Sequence, residues 1–82
     1  KSLSWPGFAD LVGIPLYQRH ACAIEGARGC MRECYIHLEK TGRLKRKFTS
    51  PFRKRKPWRI ELDGGEHAVE GSAEGPDENV LL

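Results

Sequence analysis

Eighty-two residues, 39% of them apolar, allow one domain with a modest core and leave little material for a catalytic cleft, which argues against an enzyme. No run of roughly 18 apolar residues occurs, so no segment reads as membrane-spanning, and Lys1–Asp10 lacks the apolar stretch of a secretory signal. The net charge of +3 hides a segregation into a near-neutral body, a cationic block and an anionic tail.

Residues 1–42 are predicted to form a helical body. Ser4 is placed to cap a helix that Pro6 opens, Phe8, Leu11 and Val12 share one face, and Gly13 supplies the stop. Pro15 is expected to open a second helix in which Leu16, Ala23, Ile24 and Ala27 form an apolar stripe. Gly26 and Gly29 then predict a break near residues 26–29. A third helix is predicted over 29–41. Its Cys30, Met31, Cys34, Tyr35 and Leu38 lie on one face, Lys40 suits the negative end, and Gly42 is placed to close it.

Periodicity vanishes after Gly42. Residues 43–57 read as an extended basic arm, since Pro51 and Pro57 forbid a continuous helix. Over 58–69, Trp58-Arg-Ile-Glu-Leu62 alternates apolar and charged residues, Asp63-Gly64-Gly65 signals a turn, and His67-Ala-Val69 returns as a partner strand. Residues 70–82 are polar, acidic and free of aromatic side chains, which predicts a disordered tail. The expected class is a small α+β fold, with two or three short helices over residues 6–41, the arm, a short hairpin and the tail.

Residues 43–60 hold nine basic residues and no acidic one: Arg43, Lys45, Arg46, Lys47, Arg53, Lys54, Arg55, Lys56 and Arg59. Residues 61–82 hold only acidic charges: Glu61, Asp63, Glu66, Glu70, Glu74, Asp77 and Glu78. Cations at such density neutralise phosphates and release condensed counterions, so nucleic acid, DNA or RNA, is the expected partner. Phe48, Phe52 and Trp58 are interleaved with the charges and are candidates to stack on unpaired bases; the competing reading puts these rings in the core. Lys45-Arg-Lys47 and Arg53-Lys-Arg-Lys56 also read as the two clusters of a nuclear-import address. A different class of function is an assembly factor or nuclear-targeted adaptor whose arm grips an acidic protein. The acidic tail is expected to fold back on the arm or to keep the protein soluble.

Ser50-Pro51-Phe52-Arg53 resembles a substrate of proline-directed kinases, which makes Ser50 a candidate phosphorylation site; a phosphate there would weaken polyanion binding. Phe8–Ile14 resembles the first helix and turn of helix-turn-helix proteins such as phage excisionases and related winged-helix regulators, and Arg32–Ile36 with Lys40–Arg43 resembles their second helix and wing, which would favour DNA over RNA.

Cys22, Cys30 and Cys34 make an odd number, read as three thiols in a reducing, nuclear or cytoplasmic compartment; the alternatives are one bridge with a free thiol, an intermolecular bridge, and a secreted, disulfide-linked peptide. Cys22, Cys30, Cys34 and His37, with His20 as a substitute for Cys22, form a candidate zinc set that resembles CCCH zinc fingers in ligand order. The preferred reading has no cofactor, with Cys30 and Cys34 as small core side chains beside Met31 and Leu38. A cysteine nucleophile activated by a neighbouring histidine would need a substrate pocket that nothing in the pattern announces.

Overall fold

The computed structural model describes residues 2–45 and 56–71. Three helices and a two-stranded hairpin form an α+β fold: α1 (Trp5–Val12), a 3-10 turn (Leu16–Gln18), α2 (His20–Glu25), α3 (Ala27–Lys40), β1 (Trp58–Leu62) and β2 (Gly65–Val69). The predicted tail beyond residue 71 and most of the predicted arm, residues 46–55, lie outside the described residues.

Helix α1 forms as its end signals predict. The Gly7 N–H donates to Ser4 Oγ at 3.0 Å, which satisfies one of the donors a helix start leaves open. At the other end Gly13 takes φ +83°. The Gly13 N–H donates to the Asp10 carbonyl at 3.2 Å and the Ile14 N–H to the Ala9 carbonyl at 3.1 Å, the paired bonds of a Schellman closure. Helix α3 ends in the same way around Gly42, with Gly42 N–H to Glu39 and Arg43 N–H to Leu38.

The segment between them departs from expectation. Of the predicted stripe only Ala27, which belongs to α3, packs against the core: Leu16 is 81% and Ile24 72% exposed, Ala23 is exposed, and α2 buries none of its residues. A 3-10 turn and a restart at His20 reset the helical phase, so residues eight apart in sequence no longer share a side. Helix α3 begins at Ala27, two residues ahead of the predicted start, and Gly29 lies inside it. The break rests on Gly26 alone. Gly29 serves another purpose, because a Cβ there would run into the backbone of Ala21 and come within 2.9 Å of the Ala21 Cβ. Glycine lets α2 lie directly on α3.

Strands β1 and β2 pair antiparallel, with Trp58 opposite Val69 and Leu62 opposite Gly65. Single bridges extend the sheet on both sides. Leu3 runs parallel beside Val69, its N–H donating to the Ala68 carbonyl at 2.9 Å, and Leu44 lies antiparallel to Leu62. An isolated hairpin is marginal in water, and these two flanking segments and the helices behind it supply the support it needs. The alternation of β1 turns Trp58, Ile60 and Leu62 inward and leaves Arg59 exposed.

The core lies between α1, α3 and the inner face of the hairpin. Trp5, Phe8, Met31, Cys34, Leu38, Ile60 and Val69 are buried to 2% exposure or less. Trp5 meets Phe8 and Trp58 edge-on at 6.1 and 6.3 Å, a favoured arrangement for aromatic quadrupoles. Each such side chain contributes about 1.5–3 kcal/mol by leaving water.

Candidate nucleic-acid interface

The basic stretch leaves the helical body at the end of α3 and returns into β1, and the described residues at both ends are firmly placed. Arg43 turns back into the molecule, where its Nη1 donates to the Val12 carbonyl at the end of α1 at 2.8 Å. This cation satisfies an open helix-end carbonyl and complements the negative end of the dipole. The Lys45 N–H donates to the Glu61 carbonyl at 3.0 Å, and its Nζ lies 3.2 Å from Asp63 Oδ1, both side chains remaining more than half exposed. Such an exposed pair contributes little and weakens with salt, so Lys45 is available to exchange one anion for another.

On the return side Lys56 and Arg59 are exposed. Trp58 is 5% exposed with its ring against Trp5, so it offers no face for base stacking. This side chain belongs to the core, as its alternation with Ile60 and Leu62 requires. Arg46, Lys47, Phe48, Ser50, Phe52, Arg53, Lys54 and Arg55 lie outside the described residues. The exits are nevertheless close. Lys45 bonds beside Glu61, three residues along β1 from Trp58, which is roughly 10 Å of strand. Lys45 and Trp58, the one bonded to β1 and the other its first residue, are thus both placed by one strand.

The outward side of the hairpin is mixed in charge. Arg59 stands opposite Ala68, and Glu61 opposite Glu66 in register, a like-charge pair across the strands. Cationic character therefore concentrates at Lys45, Lys56 and Arg59 and in the sequence between the exits, rather than across the sheet.

The cysteine–histidine group is arranged differently from a zinc site. Cys22 and Cys30 are joined by a disulfide, their Cα atoms 4.4 Å apart, which corrects the expectation of three thiols and leaves neither sulfur as a thiolate ligand. Cys34 is free and buried, and burial pushes its thiol up to about 12. A thiol held neutral in this way is a poor nucleophile and a poor metal ligand. His37 is half-buried on another part of α3, where it lines an open groove of about 330 Å³ with Gln18, Glu33, Ile36, Lys40 and Thr41. His20 is exposed at the start of α2. Among the described residues no group of three or more His, Cys, Asp or Glu is placed to hold a metal ion, and no helix is long and apolar enough to cross a membrane.

The sequence leaves three features unplaced: which two of the cysteines form a single bridge, the groove along α3, and the inward turn of Arg43. The first had a signal in two cysteines flanking a glycine break. The other two depend on contacts far apart in sequence and had none.

Compared with known proteins, the chain matches no family model, no curated protein and no solved structure.

Proposed function

We propose that this chain is a non-enzymatic nucleic-acid-binding protein that contacts phosphates through its basic stretch, Arg43 to Arg59. One observation carries the reading. Nine cations and no carboxylate occupy residues 43–60, and the described ends of that stretch are clamped on one strand. Like charges so crowded repel one another, and a polyanion relieves that repulsion while its counterions are released. Clamping both ends reduces the chain entropy lost when the stretch settles on a ligand. Arg43 is committed to Val12, and Trp58 to the core, so Lys45, Arg46, Lys47, Arg53, Lys54, Arg55, Lys56 and Arg59 make the phosphate contacts.

Affinity for random double- and single-stranded DNA and RNA, measured at 50 and 200 mM salt, tests the reading. About six phosphate contacts lower the affinity on the order of a thousandfold across that range. Replacing Arg53, Lys54, Arg55 and Lys56 together by Gln flattens the salt dependence by about four contacts' worth of slope. Absence of binding at the lower salt, or equal binding by the neutralised variant, overturns the assignment.

A further inference from the structure

Helix α2 is attached to the rest of the molecule by a covalent bond, by the half-buried Cys22 at the edge of the core, and by Arg19 at its start, which donates to the Ile14 carbonyl and to Asp10 Oδ1. None of its six residues is buried. It is held to α3 by the Cys22–Cys30 disulfide, by the close approach of Ala21 to Gly29, and by the surface pair of Glu25 with Arg32. The two helices meet at Gly26, whose φ of +67° and ψ of −143° form a conformation open almost only to glycine. With so little core beneath it, α2 draws its place from the bond. The segment also carries Leu16, Tyr17 and Ile24, three of the molecule's most exposed large apolar side chains among the described residues.

We propose that the Cys22–Cys30 bond is a thiol-responsive latch: a dithiol reductant opens it and frees residues 16–25 from α3, while α1, α3 and the hairpin stay folded. The exchange is balanced. A thiolate of the reductant attacks Sγ of Cys22, the more accessible end, because Cys30 is only 1% exposed. Cys30 leaves as a thiolate and takes a proton. The second thiol of the reductant then displaces Cys22, which is also protonated. Two electrons and two protons pass to the pair, and the reductant becomes a cyclic disulfide.

The remaining thiol does not interfere. Cys34 lies one helical turn beyond Cys30, fully buried in the core, and its neutral form cannot reshuffle the bond. The core side of α3, with Cys30, Met31, Cys34 and Leu38, packs on α1 and the hairpin, and among the residues of α2 Cys22 alone packs on that cluster, from its edge. Opening the latch therefore separates the 3-10 turn and α2 from α3, with Arg19 between them still bonded to the Ile14 carbonyl at 2.9 Å and to Asp10 Oδ1 at 2.6 Å. It also widens the groove, which Gln18 of that turn closes against Ile36 and His37. The latch is separate from the basic stretch, whose described ends lie on β1.

Amide hydrogen exchange, resolved by segment, decides the matter for the full chain in three forms: oxidised, reduced with dithiothreitol, and carrying Cys22→Ser with Cys30→Ser. Amides of residues 20–26 are expected to exchange at least tenfold faster in the second and third forms, with those of α1, β1 and β2 changing less than twofold. The double variant is expected to ignore dithiothreitol. If it fails to fold, reduced wild-type protein carries the test alone. Unchanged protection over 20–26 overturns the proposal, as does an equal loss across α1 and the hairpin. Three titratable thiols in the air-oxidised chain overturn it too.

Discussion

Helices α1 and α2 invite comparison because both are far shorter than the dozen or so residues an isolated helix needs in water, so each must be held from outside. Helix α1 has eight residues, four of them buried, a side-chain cap at its start and a glycine closure at its end. Helix α2 has six residues, none buried, and no side-chain cap. It lies in place through one disulfide whose Cys22 touches the edge of the core, one close backbone approach, one surface ion pair, and the bonds of Arg19 at its start to the Ile14 carbonyl and Asp10. The lesson concerns cooperativity. Burial ties α1 to the fate of the whole core, whereas point attachments are removed one at a time and leave the core intact.

The sharpest way to break this contrast is to truncate one large apolar residue in each neighbourhood. Phe8→Ala removes a fully buried ring packed on Trp5 and near His67, and is expected to cost about 4 kcal/mol in urea-induced unfolding. Ile24→Ala, at a residue 72% exposed, is expected to change stability by less than about 0.5 kcal/mol. Comparable losses would mean that α2 belongs to the core after all.

Next in size is Gly29→Ala, where two effects oppose each other. Alanine in a helix interior is favoured over glycine by about 1 kcal/mol. Against that, the added methyl collides with the Ala21 backbone, and overpacking of this kind costs about 1–3 kcal/mol. Backbone cannot swing aside as the end of a flexible side chain can, so the collision wins and a net loss of up to about 2 kcal/mol is expected. A gain in the unfolding midpoint would show that α2 does not lie so close to α3.

The same contrast marks how far the fold was legible. Ser4, Pro6, Gly13 and Gly42 announced the ends of α1 and α3 because caps act within a few residues, and Trp58–Leu62 announced its strand through a period of two. The stretch from Leu16 to Ala27 misled because a single helical phase was carried across a 3-10 turn that resets it. Gly29 was read as a break because a glycine that permits close approach and a glycine that ends a helix are the same residue. At the candidate site the density of charge was plain, yet the withdrawal of Arg43 to Val12 spans 31 positions and leaves no local pattern. Trp58 carried two signals at once, an aromatic among cations and an inward strand position, and the alternation was the stronger. The Cys22–Cys30 pairing depends on two helices meeting, which an odd count of cysteines concealed.

The smallest expected effect concerns the ion pair at the end of α2 and sharpens the comparison by pH alone. Arg32 donates from Nη1 and Nη2 to the two carboxylate oxygens of Glu25 at 2.9 and 2.7 Å, a bidentate geometry. The Arg32 hydrogen bond holds the Glu25 carboxyl below its ordinary 4.5, and the same bond raises Arg32. A carboxyl whose folded value is depressed adds stability that is complete above its unfolded value and is lost as pH falls through the folded one. Acidification below 4.5 should therefore loosen α2 before it disturbs α1. Exposure and salt keep the effect modest. Exchange of the α2 amides, corrected for the intrinsic pH dependence, is expected to rise relative to α1 between neutral pH and the acid side of that window. Glu25→Gln should show the raised α2 exchange already at neutral pH and lack the acid-induced increment. Identical pH profiles for α2 in the two proteins would show that the pair contributes nothing to holding the helix.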